Sequence, residues 1–226
     1  MVAVEKRAQP ERMDDFFNAR AAGYEEHMEQ AVVSFHQFYE AVASAIPQTD
    51  EALRILDIGC GTGLELDGIL SRASNAIVTG VDVSERMLQQ LRKAYAHRTQ
   101  HLILVQGSYL EVPLGDAVYD YVVAVMTLHH LLPPRKRDLY SRIRRALEPD
   151  GAYIEGDWYV SPEDEVRYLS EYEKRMRELE PSEEGSYHID VPLSLARQTR
   201  LLTEAGFSSV DVIWHTGGSG VLVAHG

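Results

Sequence analysis

The segment Leu56–Gly63 constrains the fold more than any other part of the sequence. It reads Leu-Asp-Ile-Gly-Cys-Gly-Thr-Gly, so three glycines stand at alternate positions directly after a short apolar run. Glycines in this pattern let the backbone leave a strand in a tight turn and approach a ligand without obstruction from a Cβ atom. A loop of this kind needs a strand before it and a helix after it. The sequence predicts both, a strand over 53–58 and a helix over 64–72.

The chain after this loop alternates apolar strands with helices. The further predictions are strands at 76–82, 102–106, 119–126 and 152–157, a helix after Ser84 and a helix over 134–147. Such alternation favours a parallel sheet with helices on both faces. Residues 209–215 and 220–224 read as two strands of a closing hairpin. We therefore predict a three-layer, Rossmann-like α/β fold whose seven-stranded sheet is mostly parallel, with a C-terminal antiparallel hairpin strand.

The regions outside this alternation are predicted to be helical. Residues up to Ile46 read as two helices broken near Gly23, and 163–180 reads as a charged helix followed by a break at 181–185. The charged helix is either a surface helix packed by its apolar stripe or a cap over a substrate pocket. We predict a single domain over 1–226, with N-terminal helices at 10–46 and a helical insertion at 160–190 that would serve as a lid.

Two shorter signals mark the ends of elements in the second half of the chain. Pro149-Asp150-Gly151 predicts a turn before the fifth strand. Ser194 predicts the start of a further helix, which Gly206 ends.

The charge balance bears on the partners. The formal net charge is -13, whereas nucleic-acid binding draws most of its non-specific affinity from clustered Lys and Arg. The basic residues that do cluster are expected to form a solvated helix face: Arg135, Lys136, Arg137, Arg142, Arg144 and Arg145. We expect a small-molecule partner and no nucleic acid.

Composition and hydropathy also bear on location. No apolar run approaches the roughly 20 residues that a membrane helix needs, and 1–13 lacks an apolar signal core. Together with the lone Cys60, this leads us to expect a cytoplasmic protein without a membrane partner. The oligomeric state is left open.

The glycine loop does not match the common phosphate-binding loops. A dinucleotide fingerprint would place a third glycine at the position of Leu64, and a Walker loop would continue with Gly-Lys-Ser/Thr. The acidic Asp57 before the loop instead favours a ligand that carries an ammonium group and no phosphate.

Asp57-Ile58-Gly59-Cys60-Gly61-Thr62-Gly63 resembles the first motif of the class I S-adenosylmethionine (SAM)-dependent methyltransferases, and the likeness extends from about Phe16 to the C-terminus. The resemblance implies a methyltransferase with SAM as cofactor and S-adenosylhomocysteine as product. It places the glycine loop under the methionine part of SAM, with Asp57 toward its amino group. It assigns the ribose hydroxyls to Asp82, whereas Ser108 stands where relatives often carry an acid near the adenine. The cofactor contacts that it implies are Tyr24, Asp57, Gly59, Cys60, Gly61, Gly63, Asp82, Val83, Met87, Gly107, Ser108, Tyr109 and Met126.

The sequence indicates fewer residues for binding the methyl acceptor than for binding the cofactor. His129 and Asp157 are the candidate catalytic residues, with His129 as a general base. The candidate substrate pocket consists of Phe16, His130, Trp158, Tyr187 and His188. No metal is expected, because the sequence places no third ligand near the two adjacent histidines. Met126-Thr127-Leu128-His129 stands where nucleobase amino-methyltransferases carry an Asn-Pro-Pro-Tyr-like motif, so a small-molecule acceptor is favoured, attacking through oxygen, nitrogen or carbon.

Three other functions stay open at this point. The first is different chemistry on the cofactor, such as formation of carboxy-SAM, and the second is a non-catalytic SAM-binding partner protein. The third, a nicotinamide-dependent oxidoreductase, is weakened by the missing third glycine.

Overall fold

Seven strands form one sheet in the computed structural model, which describes residues 10–177 and 187–226. In chain order they are β1 (Arg54–Ile58), β2 (Ile77–Asp82), β3 (Leu102–Gln106), β4 (Tyr119–Val125), β5 (Leu147–Trp158), β6 (Ser209–Thr216) and β7 (Ser219–His225). Across the sheet their order is β3-β2-β1-β4-β5-β7-β6. Neighbours from β3 to β5 pair in parallel, and β7 runs antiparallel to both β5 and β6. The predicted fold class is confirmed.

Helices cover both faces of this sheet. Those in the described part of the chain are α1 (Met13–Arg20), α2 (Tyr24–Ala31), α3 (Phe35–Ser44), α4 (Leu66–Arg72), α5 (Glu85–Ala94), α6 (Pro133–Ala146), α7 (Pro162–Met176) and α8 (Leu195–Glu204). Within 10–177 and 187–226, none of them is long and apolar enough to cross a membrane. The predicted break at 181–185 and part of the 160–190 insertion lie outside the described residues.

The N-terminal region holds three α-helices, so the prediction of two was wrong. The break near Gly23 is present as a short 3-10 turn over Ala21–Gly23. A second break falls at 32–34, where Ser34 adopts a left-handed conformation with φ 57°. A non-glycine residue at positive φ cannot continue an α-helix, and no proline or glycine marks this position in the sequence.

The predicted turn at 149–151 was also wrong, because β5 begins earlier, at Leu147. Pairing with β4 steps from Tyr119–Leu147 to Tyr121–Ala152, so 148–151 form a bulge within the strand. A bulge accommodates extra residues without ending the ladder. A Cβ at Gly151 would lie 3.0 Å from the carbonyl oxygen of Asp120, which explains the glycine.

Two apolar cores lie on opposite faces of the sheet. One packs α3, α4 and α5 against it and includes Phe38, Ile69 and Leu88. The other packs α6 and α8 against the opposite face and includes Ile143 and Leu202. Burial on both faces explains the continuous apolar runs in the central strands.

The basic cluster on α6 is only partly a solvated face, so that prediction was wrong for Lys136 and Arg142. Lys136 is 1% exposed, and its Nζ donates to Oε1 of Gln198 over 3.2 Å. Arg142 donates to the carbonyl oxygens of three loop residues, Tyr109, Leu110 and Val112. Hydrogen bonds from α6 therefore fix the position of the loop after β3.

Gly156 of β5 allows α3 to pack closely on the sheet, which leads to a stability prediction. A Cβ there would lie 2.8 Å from side-chain carbons of both Phe38 and Val42. Because overpacking a close-packed core costs about 1–3 kcal/mol, Gly156→Ala should lower the free energy of unfolding by that amount in urea denaturation. Gly23→Ala is the matched control, since a Cβ at Gly23 meets nothing within 4 Å. Equal losses in the two variants would contradict this account of the packing.

Candidate functional site

Two adjoining cavities open beside the carboxyl ends of the parallel strands. The first has a volume of about 510 Å³ and the second about 750 Å³. Both lie within the range typical of small-molecule sites. They share four wall residues, Phe17, Tyr24, Met126 and His130. The two cavities are therefore adjacent, with these four side chains at the boundary between them.

The glycine loop presents bare backbone to the first cavity. Gly59, Gly61 and Gly63 all have positive φ, at 69°, 49° and 83°. A Cβ at Gly59 would collide with the side chain of Thr127, whereas one at Gly61 would come no nearer to a side chain than 3.8 Å, at Tyr24. The loop can therefore make this turn, and let a ligand approach its backbone, only with glycine at these positions.

Asp82, at the end of β2, ties the glycine loop to the start of α5. Its Oδ2 accepts a hydrogen bond from the backbone N–H of Gly61 over 2.9 Å, and its Oδ1 accepts one from that of Ser84 over 2.8 Å. Each carboxylate oxygen keeps a further lone pair for a ligand. The side chain is buried yet lines the cavity, so it can accept hydrogen bonds there with little competition from water.

The far end of the first cavity is formed by the loop that Arg142 holds. The Ser108 hydroxyl accepts a hydrogen bond from the backbone N–H of Leu110 over 3.2 Å, and the Tyr109 hydroxyl donates to the carbonyl oxygen of Thr127 over 3.4 Å. Ser108 has a proton left to donate but cannot offer the negative charge of a carboxylate. A ligand group at this end of the cavity would therefore meet a neutral hydroxyl instead of a carboxylate.

Helix α1 is fastened over the first cavity by Asn18. Its Oδ1 accepts hydrogen bonds from the Ser84 hydroxyl over 2.9 Å and from the backbone N–H of Arg86 over 3.2 Å. The sequence analysis did not identify Asn18, because positions 18 and 84 are far apart in the chain and no sequence pattern predicts a hydrogen bond between them.

His129 and Asp157 form a buried pair at the second cavity. Adjacent strands β4 and β5 bring them together, and His129 Nδ1 lies 2.6 Å from Asp157 Oδ1. Burial disfavours the charged imidazole, but the nearby carboxylate outweighs burial and raises the pKa of His129. Burial likewise opposes ionisation of Asp157, but the imidazole outweighs it and lowers the pKa of that carboxyl. With Nδ1 engaged, Nε2 is the ring nitrogen that remains for a ligand.

The second cavity has an aromatic and apolar wall. Phe16 stacks on His188, with ring centroids 3.4 Å apart and planes at 8°. Trp158 lies opposite His129 at a centroid distance of 6.2 Å. The other apolar and aromatic residues of this wall include Phe17, Met28, Val32 and Val33. Its ligand is therefore expected to be largely apolar.

A polar corner of the second cavity joins His130 to Asp190. His130 Nδ1 lies 3.2 Å from Asp190 Oδ1, and burial lowers the pKa of His130 to about 4, helped by the nearby His129. The sequence offered no third ligand beside the two histidines, but the fold brings Asp190 to them. One ligand atom from each of His129, His130 and Asp190 lies within 4.8 Å of the others. These three side chains are therefore close enough together for a metal to be tested at this corner.

The predicted cofactor residues divide into two sets. Those that line the first cavity are Tyr24, Gly59, Gly61, Asp82, Val83, Met87, Gly107, Ser108, Tyr109 and Met126. Asp57, Cys60 and Gly63 do not line it. Asp57 and Cys60 are buried behind the loop, and a Cβ at Gly63 would meet side chains of Leu66 and Leu91.

Among the predicted acceptor-pocket residues, Phe16, His130, Trp158 and His188 line the second cavity, and His129 joins them. Tyr187 does not, because it packs with the small apolar cluster of Tyr172, Ile189 and Val191.

Comparison with known proteins agrees with this geometry. Residues 55–151 match the family model described as a methyltransferase domain. The 27-O-demethylrifamycin SV methyltransferase of Amycolatopsis mediterranei is 32% identical over 111 residues, covering 48% of this chain and 40% of that protein. Residues 55–151 therefore form a methyltransferase domain similar to those of the class I SAM-dependent methyltransferases.

More distant relatives show how far the likeness extends. The carboxy-S-adenosyl-L-methionine synthase of Nautilia profundicola is 21% identical over 170 residues, covering 71% of this chain and 72% of that protein. Human N-acetylserotonin methyltransferase, solved in complex with SAM, shares the fold with a TM-score of 0.61, at 14% identity over 83% of this chain and 51% of that chain. The chain spans between 33% and 45% of the length of three curated methyltransferases that it matches. These matches therefore identify the domain without identifying an acceptor.

Proposed function

We propose that this protein transfers the methyl group of SAM to a hydroxyl oxygen of a small, largely apolar acceptor. The observation that carries the proposal is that the two cavities adjoin, with His129 in the wall of the second and Asp157 in contact with its Nδ1. A cofactor in the first cavity and an acceptor in the second would meet at Phe17, Tyr24, Met126 and His130.

The residues of the first cavity fit SAM. The bare backbone at Gly59 and Gly61 accommodates the close approach of the methionine part. The free lone pairs of Asp82 suit the two ribose hydroxyls. Behind the glycine loop, the buried Asp57 carboxyl has no hydrogen-bond donor and would place negative charge beneath an ammonium group bound over the loop. S-adenosylhomocysteine would remain in the same cavity after transfer.

SAM supplies a methyl group that its sulfonium has already activated. The protein then has to align the acceptor with the carbon–sulfur bond and exclude water. The shared wall residues would hold the two ligands in line, and α1, fastened through Asn18, would close the site from solvent. We propose the same covering role for the 160–190 insertion, whose α7 contacts Trp158 through Tyr168.

The His129–Asp157 pair would remove the acceptor proton. Asp157 holds Nδ1 of the ring, so Nε2 of neutral His129 can accept a proton while the carboxylate stabilises the resulting charge. General-base catalysis of this kind contributes about 10²–10⁴-fold to the rate. A hydroxyl acceptor needs this help because it holds its proton at neutral pH.

The relatives support a small-molecule acceptor. The Amycolatopsis enzyme acts on a demethylrifamycin, as its name states, and the apolar wall of the second cavity suits an acceptor of similar polarity. The net charge of -13 weighs against nucleic acid.

The pH dependence of the reaction rate should reflect the protonation of His129. Because Asp157 raises the pKa of His129 above its ordinary value of about 6.5, the neutral base is present only above that raised pKa. At saturating SAM, kcat/KM for the acceptor should rise about tenfold per pH unit below this pKa and level off above it. Asp157→Asn removes the carboxylate, so its inflection should move to lower pH. Initial rates between about pH 5 and pH 9 test this, and a flat wild-type profile would contradict the base assignment.

The direct test is turnover with a panel of hydroxylated aromatic and polycyclic compounds, followed by mass spectrometry of the methylated product and of S-adenosylhomocysteine. Methylation at carbon or nitrogen alone would contradict the proposed acceptor atom. Each reaction is repeated with EDTA, because one ligand atom from each of His129, His130 and Asp190 lies within 4.8 Å of the others. Activity that survives chelation supports their role as cavity wall, and loss that an added divalent ion restores would assign them to a metal.

A second candidate function is different chemistry on the cofactor. Arg12 and Arg135 both line the first cavity, and positive charge there would suit a cofactor with an additional carboxylate. The Nautilia carboxy-SAM synthase is similar along most of this chain. Mass spectrometry of the nucleoside that copurifies with the protein distinguishes the two functions, since carboxy-SAM is heavier than SAM by one carbon dioxide unit.

A further inference from the structure

The second cavity contains a carboxylate that has no part in the proposed proton removal. Asp190 lines this cavity together with His129 and His130. Its side chain is 40% exposed, so a ligand in the cavity can reach the carboxylate. Because the ordinary pKa of an aspartate is about 3.9, the group is ionised near neutral pH. The cavity therefore offers a strong hydrogen-bond acceptor in addition to the proposed base.

Backbone hydrogen bonds on both sides of Asp190 fix its position. The N–H of His188 donates to the carbonyl oxygen of Glu11 over 2.9 Å, and the N–H of Val191 donates to the carbonyl oxygen of His129 over 2.6 Å. The second of these bonds ties the segment that carries Asp190 directly to the residue of the proposed base. The carboxylate and the base are therefore held near each other although they are far apart in the chain.

His130 has a buried ring nitrogen without a hydrogen-bond partner. Its side chain is 4% exposed and lines the cavity. Nδ1 lies 3.2 Å from Oδ1 of Asp190, but it is not aligned to donate to that oxygen. A ring nitrogen that faces a carboxylate carries its proton, because two acceptors would repel each other. Since a buried N–H is rarely left unpaired, this position calls for a ligand group that accepts a hydrogen bond.

A hydroxyl group satisfies both side chains at once. It can donate its proton to the carboxylate of Asp190 and accept a hydrogen bond from Nδ1–H of His130. An ammonium group has only donors and a methoxy group has only an acceptor, so each of them would satisfy one side chain and leave the other unpaired. This corner of the cavity therefore favours a hydroxyl of the ligand.

The corner lies close to the proposed base. One ring nitrogen of His129, one of His130 and one carboxylate oxygen of Asp190 lie within 4.8 Å of one another, and the two imidazole centroids are 4.1 Å apart. A hydroxyl bound at the corner is therefore close to the hydroxyl that loses its proton to His129. This closeness favours two hydroxyls on adjacent carbons, and the aromatic wall that includes Phe16 and Trp158 suits a flat ring that carries them.

We propose that the acceptor is an ortho-dihydroxy aromatic compound, and that His130 and Asp190 bind the hydroxyl that is not methylated. The proposal rests on the proposed O-methylation and narrows its substrate class. His129 takes the proton of the other hydroxyl. The oxygen of that hydroxyl forms a bond to the methyl carbon while the carbon–sulfur bond breaks and leaves its electron pair on sulfur. The products are a monomethyl ether, S-adenosylhomocysteine and a proton.

Three related compounds test the requirement for adjacent hydroxyls. In 2,3-dihydroxynaphthalene the hydroxyls are adjacent, in 2,7-dihydroxynaphthalene they are far apart, and 2-naphthol has only one. We expect kcat/KM at saturating SAM to be about tenfold or more higher for the 2,3-diol, since it alone places a hydroxyl at Asp190. We also expect a single methylation, because a methoxy group cannot donate to the carboxylate. Equal kcat/KM for 2-naphthol, or a second methylation as fast as the first, would overturn the proposal.

Variants of Asp190 separate this recognition from the intrinsic reactivity of the compounds. Asp190→Ala should lower kcat/KM for the 2,3-diol about tenfold or more and leave that for 2-naphthol within about twofold of wild type. Asp190→Asn keeps an acceptor oxygen without the charge, so its preference should be intermediate. Exposed Asp211→Ala is the matched control and should keep the wild-type preference. Partial unfolding would lower both rates together, so an unchanged ratio in Asp190→Ala would contradict the role of this residue.

The remaining outcomes distinguish this inference from the proposed function. A preference for the 2,3-diol that EDTA removes and a divalent ion restores would assign the second hydroxyl to a metal and overturn the hydrogen-bonded corner. Methylation of monohydroxy compounds without methylation of the 2,3-diol would overturn the inference and leave O-methylation standing. Absence of O-methylation across these compounds and the wider panel would instead overturn the proposed function itself.

Discussion

Replacing Asp82 with Ala should weaken SAM binding by about 100-fold or more. The wild-type carboxylate holds Gly61 and Ser84 by their backbone N–H groups and keeps lone pairs for the ribose hydroxyls. Each hydrogen bond to a charged group contributes about 1.5–3 kcal/mol, and a tenfold change in affinity corresponds to about 1.4 kcal/mol. Loss of two ligand contacts, together with a glycine loop freed from its anchor, therefore accounts for a change of this size. Calorimetric titration with SAM measures it directly.

Two variants and a second ligand control this experiment. Asp82→Asn keeps an oxygen that accepts a backbone hydrogen bond but loses the charge, so its affinity should fall between those of wild type and Asp82→Ala. Asp211→Ala removes an exposed carboxylate on the edge strand β6 and should leave SAM affinity unchanged. NAD should not bind to any of the proteins. Unchanged SAM affinity in Asp82→Ala would show that the cofactor lies elsewhere.

Replacing His129 with Ala should lower kcat by about 10²–10⁴-fold while SAM affinity stays within about twofold of wild type. His129 lies in the wall of the second cavity and outside that of the first, so its loss should affect proton removal and not cofactor binding. Steady-state rates at saturating SAM give kcat, and titration with SAM gives the affinity. A large loss of kcat with unchanged SAM affinity would assign His129 to the chemical step.

The controls for His129 separate catalysis from packing. Asp157→Asn should lower kcat in the same direction, because the amide cannot stabilise the charged imidazole. His97→Ala removes an exposed histidine far from β4 in sequence and should leave kcat unchanged. Added imidazole should restore part of the His129→Ala activity if a base is what the variant lacks. A His129→Ala enzyme with wild-type kcat would show that the acceptor loses its proton without help from this residue.

Local sequence was sufficient for the cofactor side of the site. The glycines of 59–63 have a required backbone conformation, and Asp82 follows an apolar strand at a predictable position. Both features can be recognised within short segments of the sequence. The mostly parallel sheet was predicted from the same alternation of strands and helices, because a parallel sheet needs a crossover between successive strands.

The acceptor side was less predictable, because its contacts join distant parts of the chain. His129 and Asp157 were candidates by position, but their 2.6 Å contact depends on the pairing of β4 with β5. Asp190 has no sequence signal at all, and it reaches His130 only because residues 187–193 return across the site. The burial of Lys136 beside Gln198 likewise reversed a prediction based on charge alone.

The sequence by itself predicted the fold class, the glycine loop and the position of Asp82 at the end of the second strand. These depend on hydrophobic periodicity and on backbone conformations that only certain residues adopt, and both are local properties. Only the tertiary structure decided which histidine is held by an acid and which residues line the second cavity. Those features depend on burial and on distances between groups far apart in sequence, and it is burial that makes an unpaired charge costly and a paired one functional.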